Sequence, residues 1–468
     1  MLCCARAKEN EIDMTASGDR EGSASELYQN VTCPFCGLLC DDLEVSRTGS
    51  TLKVIKNGCG RAVAGFQRTL PPAKPQVRGS EVDLQVAIEA AAALIKQSSL
   101  PLYGGMASDV AGARAIMSLA DRSGGVVDHA LSEGQYRNIK VVQMSGWIMS
   151  TLSETRNRAD VIVIVGSDVH KLHGRFFDRI VCPPSSMFDD VPQKRTIVFI
   201  GEGLDTSGAK GDRIGEVINL QCSNDRLTDV LGALLARLRG LPVQTREAAP
   251  ARRGGLFSSL LPHLRESVSP APEVAGVMLS DIDAVAEKCK AAHYPVLVWA
   301  PPGLNFAQAD LAVLLISDIV KELNFTTRAA GLSLGGNEGA PSAAAVSTWQ
   351  TGYPLRVSFA NGKPEYDSYR YSIGRMLAEN EGDLLLWLSS FTTDLGPPAT
   401  RLPTIVLGTP GLRLSQPPAV FIPVGTPGVD HAGSMVRCDN VVSLPVKDLG
   451  RARLPRAADV LSAVEAAL

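Results

Sequence analysis

Four cysteines stand at ligand-like spacings. In CPFCGLLCDD, residues 33–42, Cys33 and Cys36 are separated by two residues and Cys36 and Cys40 by three, and Cys59 follows in NGCGR after eighteen more. A Cys-x-x-Cys loop bends back so that both sulfurs and several backbone N–H groups face one point, which suits a tetrahedral zinc ion or an iron–sulfur cluster; a distant fourth cysteine closes the cage. The plainer alternative is a set of reduced, packed thiols, and the spacing favours a metal. A second candidate is DVHKLHGR, where Asp168, His170 and His173 offer a carboxylate and two imidazoles. A metal there needs another ligand brought in by the fold, so hydrogen bonding on a strand-exit loop is the commoner state. His431 in PGVDHAGSM reads as loop structure, and Gly352 and Gly362 as turn glycines rather than a phosphate cradle.

The elements that must position these groups follow from periodicity. LEVSRTGSTLKVIKNG alternates apolar and polar residues about a Thr-Gly-Ser turn, which predicts a hairpin over 43–57 capped by the cysteines, with a helix starting after Cys59. From about residue 81 helical and strand patterns alternate, which implies a parallel sheet. In NRADVIVIVGSD the run Val161 to Val165 has no polar face, so it reads as a strand buried on both sides that ends at Gly166. Ligands in open α/β sheets sit just past the carboxyl ends of such strands. RTIVFIGEGLD, YPVLVWAPPGLNF, DLLLWLSSF, LPTIVLGTP and AVFIPVG repeat the arrangement, and AADVLSAVEAAL closes the chain as a helix. The division expected is a disordered lead-in over 1–28, with Met14 as a second candidate start; a Cys-cage β module over 29–78; an α/β domain over 79–240; a Pro-, Gly- and Arg-rich linker over 241–275; and a second α/β domain over 276–468.

Composition sets limits on function. The 468 residues are 45% hydrophobic and 20% charged, ordinary for a chain that buries large cores, and the net charge of −3 with no basic-aromatic patch leaves no footprint for nucleic acid. No apolar stretch approaches 18 residues and no export signal is legible, so a cytoplasmic protein is expected. Ten cysteines, four of them grouped, fit a reducing compartment better than a disulfide framework. Cys182, Cys222, Cys289 and Cys438 read as packed.

The CPFCGLLCDD cage, the NRADVIVIVGSD strand, NEGAPSAAAVSTWQTGYPLRVSFANGKPEY at 337–366 and GVDHAGSMVRCDN at 428–440 together resemble the B subunit of formylmethanofuran dehydrogenase, from about residue 30 onward. STWQTGYP is the most distinctive string. The resemblance implies a molybdopterin-oxidoreductase fold of several parallel-sheet domains, a [4Fe–4S] cluster on Cys33, Cys36, Cys40 and Cys59, a tungsten or molybdenum bis-pterin, and interconversion of CO2 or formate with formylmethanofuran. Arg61 would then lie between cluster and pterin, and Asp168, His170 and Arg175 would belong to the cofactor pocket.

One departure changes that expectation. Where the family has a metal-binding Cys or selenocysteine followed by His, VVDHALSEGQYRN carries Ser132 and Glu133, and no cysteine occurs between Cys59 and Cys182. A serine hydroxyl is a much poorer ligand for tungsten or molybdenum than a thiolate, and Glu133 replaces an imidazole that could shuttle protons near neutrality. The chain therefore also resembles the B subunit of the bacterial formyltransferase/hydrolase complex, which implies a scaffold without pterin, partnered by a formyltransferase subunit, an amidohydrolase subunit and the C subunit. Asp168, His170 and Arg175 then become a remnant pocket, and the four sulfurs hold a [4Fe–4S] cluster, hold zinc or stay vacant. The competing expectation is an active tungsten or molybdenum oxidoreductase that uses Ser132 as ligand.

Overall fold

The computed structural model describes residues 25–188, 194–244 and 272–468. In chain order its first elements are β1 (Glu26–Val31), β2 (Leu43–Thr48), β3 (Thr51–Lys56) and α1 (Gly60–Phe66). Then come β4 (Gln76–Val77), β5 (Ser80–Glu81), α2 (Leu84–Gln97), β6 (Pro101–Ala107), α3 (Val110–Ser123), β7 (Val126–Val127), α4 (Ser132–Ser145) and α5 (Leu152–Arg158). The middle of the chain gives β8 (Val161–Val165), α6 (Val169–Leu172), β9 (Arg195–Ile200), β10 (Ile214–Leu220) and α7 (Leu227–Leu238). It continues with β11 (Glu273–Val274), β12 (Val277–Met278), α8 (Leu279–Ala291), β13 (Pro295–Trp299), α9 (Ala309–Leu323) and β14 (Ala330–Ser333). The last stretch holds α10 (Ala340–Thr351), β15 (Val357–Ser358), β16 (Glu365–Tyr366), α11 (Ile373–Ala378), β17 (Leu384–Ser389), β18 (Thr404–Gly408), β19 (Val420–Pro423), β20 (Gly433–Val436), β21 (Ser443–Val446) and α12 (Ala457–Ala466).

Two large sheets carry the chain. One has five strands in the order β10-β9-β8-β13-β14, all parallel. The other has nine, β16-β15-β7-β6-β17-β18-β19-β4-β5, with a parallel centre and short antiparallel pairs at both edges. The α/β class with parallel sheets is as expected, and so is the hairpin of β2 and β3, joined by β1 into a small antiparallel sheet. Two boundaries need correction. The lead-in expected over 1–28 overlaps β1, which starts at Glu26, while residues 1–24 lie outside the described residues, as does most of the expected linker. Nor do 79–240 and 276–468 form separate sheets. The chain leaves the larger sheet after β7, builds the smaller one from β8, β9, β10, β13 and β14, and returns at β15. Local alternation announces βα units, but not which strand each will pair with.

The cores follow from the strand pleat. Ile162 and Ile164 point to one face of the smaller sheet and Val161, Val163 and Val165 to the other, because successive side chains alternate. Helices α7, α8 and α9 cover the second face. The first is covered largely by the cysteine module, whose Phe35 and Phe66 rings meet edge to face at 5.1 Å and share a core with Ile162, Ile197, Phe199 and Val298. In the larger sheet, Tyr103, Leu386, Ile405 and Ile422 pack under α2, α3 and α12, and Leu102, Leu385, Trp387 and Val406 line the opposite face. Among the described residues no helix is long and apolar enough to cross a membrane.

One buried cation ties the end of α5 and the backbone at 180–181 to the start of β9. Arg195, at the start of β9, is fully buried and donates to the carbonyls of Ile180 at 2.8 Å, Val181 at 2.7 Å and Arg156 at 2.5 Å. Burial, together with the nearby charge of Arg213, pulls its pKa down to about 10. Arg195→Met would leave these carbonyls without partners, so we expect a loss of about 3 kcal/mol, read as a lowered unfolding midpoint in urea. A midpoint unchanged from wild type would contradict this role.

Candidate functional site

The cysteine loop is built by short local bonds. Cys33 N–H donates to the Cys40 carbonyl at 2.8 Å, and Leu39, with φ +45°, turns the chain between them. A Cβ at Gly37 would lie 2.3 Å from the Gly335 carbonyl oxygen and 2.8 Å from Cys438, so only glycine lets this loop meet the segment after β14. Cys33, Cys36 and Cys40 are buried and Cys59 is half-buried. Burial, and then the neighbouring thiols, push Cys33 well above the ordinary thiol range and Cys36 to about 12. Without a metal these groups are therefore neutral thiols at pH 7. Cys33 is within electrostatic reach of Cys36, Cys40 and Cys59, and Cys36 of Cys40 and Cys59. Even so, among the described residues no three His, Cys, Asp or Glu side chains are gathered so as to hold a metal ion. The donors are right in kind for a metal.

The loop after β8 grips this module by charge. Arg175 bonds Asp42 through two nitrogens at 2.6 and 3.0 Å and Asp178 at 2.9 Å, and Arg179 bonds Asp41 at 2.7 Å. Burial pushes Asp42 up, but Arg175 and Arg179 more than offset it and hold the carboxyl below its usual range. His170 and Arg175 line a cavity of about 650 Å³ together with Cys59, Cys182, Lys210 and Arg213. Asp168 instead caps α6, accepting from Lys171 N–H at 3.0 Å. His173 is buried, donates from Nε2 to the Leu334 carbonyl at 2.9 Å, and is held neutral by burial, which lowers its pKa to about 4. Asp168, His170 and His173 thus do not form a metal triplet. Cys222, Cys289 and Cys438 are buried as expected, whereas Cys182 is half-buried on the cavity wall. Gly352 closes α10 in a left-handed turn, φ +83°, and Gly362 sits in another at φ +70°.

Ser132 and Glu133 open α4 in a different cavity, of about 290 Å³, at the carboxyl ends of β6 and β17. Its wall includes Gly104, Gly105, Asp128, His129, Ser372 and Trp387. Ser132 is buried, and its Oγ accepts from Arg356 Nη2 at 3.1 Å. The same guanidinium bonds the Glu133 carboxylate and the Ser368 carbonyl, lies 3.4 Å from Asp128, and stacks 4.0 Å from the Tyr136 ring centroid. Burial raises Asp128 to about 6 against the pull of Arg356. His129 accepts at Nδ1 from Leu131 N–H at 3.0 Å, so Nε2 carries the proton that is donated to the Glu338 carbonyl at 3.1 Å.

Several known proteins are similar to this chain over most of their length. The chain is 26% identical over 436 residues, 89% of its length and 92% of the relative's, to the B subunit of the tungsten-containing formylmethanofuran dehydrogenase 2 of Methanocaldococcus jannaschii. It is 28% identical over 363 residues, 77% of its length and 87% of the relative's, to the B subunit of the formyltransferase/hydrolase complex Fhc of Methylorubrum extorquens. A chain of the crystal structure of the FhcABCD complex from Methylorubrum extorquens with methylofuran superposes with a TM-score of 0.66 at 26% identity, covering 84% of this chain and 98% of that one. The B subunits of formylmethanofuran dehydrogenase and of Fhc are homologues of this chain. No protein-family model matches it.

Within this B-subunit homologue, His170 and Arg175 of the expected remnant pocket line one cavity and Ser132 another, while Asp168 lines neither. Arg356, the centre of the Ser132 site, is not legible as such in the sequence, although it lies in the distinctive string after STWQTGYP. Glu338 carries no sequence signal either. It has φ +56° between left-handed Gly336 and Gly339, and its Oε2 is buried without a hydrogen-bond partner. Arg61, the residue expected between cluster and pterin, acts electrostatically on Glu338 together with Arg68. His431 is buried, with Nδ1 donating to the Ala432 carbonyl at 3.0 Å.

Burial raises Glu338 to about 7 despite Arg61 and Arg68. The folded chain therefore keeps this proton at pH values where the unfolded chain has lost it, and stability falls as pH rises towards 7. Glu338→Gln keeps the neutral form throughout, so its stability advantage over wild type should grow between pH 5 and 7 to at most about 3 kcal/mol and then level off. Denaturation of both proteins across that range tests this; a pH-independent difference would contradict it.

Proposed function

We propose that this chain is a non-catalytic scaffold, the B subunit of a formyltransferase/hydrolase complex, in tetrahydromethanopterin- and methanofuran-linked oxidation of formaldehyde to formate. The observation that carries the reading is the state of position 132. A tungsten or molybdenum centre is best served by a thiolate, and here a buried hydroxyl is already held by Arg356 at 3.1 Å. The adjoining cavity, about 290 Å³, is at the small end for ligand pockets and is a poor fit to a cofactor with two pterins. Similarity to the B subunit of Fhc and to a chain of the FhcABCD complex supports the assembly. In this reading a formyltransferase subunit moves the formyl group from the pterin carrier to a methanofuran-like carrier. An amidohydrolase subunit releases formate, the C subunit completes the set, and this chain holds them in register in the cytoplasm.

The second reading is an active tungsten or molybdenum formylmethanofuran dehydrogenase chain with Ser132 as ligand. Similarity across 89% of the chain to a tungsten-containing relative supports it. For the cysteine module, four thiols suit either a zinc ion or an iron–sulfur cluster. The scaffold reading holds with the module filled or vacant. Mass-spectrometric metal analysis of the purified complex, paired with formate-dependent dye reduction, separates the two functions. We expect no tungsten or molybdenum, no dye reduction, and formate release from the formyl carrier by the intact complex. Stoichiometric tungsten or molybdenum with dye reduction would discard the scaffold reading.

A further inference from the structure

We propose that the Arg356 guanidinium is a built-in cation that closes the 128–133 turn where a metal would otherwise sit, so that this end of the cavity is complete without a cofactor. The proposal rests on the scaffold reading and adds a residue-level cause to it. Sheet register supplies the geometry: β7 and β15 pair antiparallel, Val127 against Val357 and Val126 against Ser358. The next residue outward on each strand is Asp128 on one side and Arg356 on the other, so pairing of two residues delivers the cation to the turn that Ser132 ends. Leu355 and Arg356 both have positive φ, +71° and +47°, which side chains rarely adopt and which persists only where surrounding contacts over-determine it.

Those contacts are many. Arg356 is 5% exposed. Its terminal nitrogens reach Ser132, Glu133 and the Ser368 carbonyl, Asp128 lies 3.4 Å from Nε, and Tyr136 covers one face at 4.0 Å. Asp128 is itself fixed by the backbone N–H groups of His129 at 2.9 Å and Ile373 at 3.2 Å. A guanidinium suits this place because it is planar, always charged and presents several donors at fixed angles, none of which a lysine ammonium reproduces. Ser132, Glu133 and Asp128 are thus held by a cation that the chain itself supplies.

The test uses the purified complex, with hydrogen exchange at the amides of residues 129–136 and metal content measured on the same samples. Arg356→Ala should speed that exchange by about tenfold or more, Arg356→Lys should fail to restore protection, and millimolar methylguanidinium added to Arg356→Ala should restore it. Should Arg356→Ala not fold, Glu133→Gln, on the exposed rim, carries the test: its exchange should rise by about threefold. Unchanged exchange in a folded Arg356→Ala, full rescue by lysine, or unchanged exchange in Glu133→Gln would overturn the proposal while leaving the scaffold reading intact. Tungsten or molybdenum in the wild-type complex would overturn the scaffold reading itself.

Discussion

Two residues of β15 lie against two of β7, and the cavity around position 132 depends on that short antiparallel contact. β7 belongs to the parallel centre of the larger sheet, while β15 arrives after the chain has built the whole smaller sheet. The pairing therefore closes a loop of more than two hundred residues, and such a contact yields no enthalpy until the intervening units have formed. Once made, it brings a buried arginine against a turn that carries Asp128, Ser132 and Glu133. An uncompensated guanidinium in that position would be strongly unfavourable, so the turn and the strand stabilise each other.

The cysteine module answers a different constraint. A parallel sheet must be covered on both faces, and one face of the smaller sheet is covered by this small β unit rather than by helices alone. Phe35 and Phe66 supply the apolar contact, and the Arg175–Asp42 and Arg179–Asp41 pairs hold the rim. A module of about forty residues rarely has a sufficient core of its own, so its stability is shared with the sheet it covers. Three of its thiols lie in that shared core, which makes them apolar packing groups as well as potential ligands.

Buried charge also gathers where the strands of the larger sheet end. Arg451 bonds Asp430 through two nitrogens, Arg68 donates to Thr409 and the Phe391 carbonyl, and Thr426 joins the two arginines. These residues come from the cysteine module and from the segments after β17, β18, β19 and β21. The network ties the module to the larger sheet as the Arg175 clamp ties it to the smaller one, so the 33–68 segment bridges both halves of the protein.

The amino-acid sequence determined the local elements and their chemistry. The Val161–Val165 run had to be a strand buried on both faces, and LEVSRTGSTLKVIK had to be a hairpin. These conclusions need only side-chain type and a period of two or 3.6 residues. Tertiary structure decided everything that depends on separation along the chain: the interleaving of the two sheets, the division of Ser132 and His170 between separate cavities, and the meeting of Arg356 with Asp128. The physical reason is that strand pairing is a choice among many similar apolar partners. It is settled by the packing of whole layers, which no short window of sequence contains.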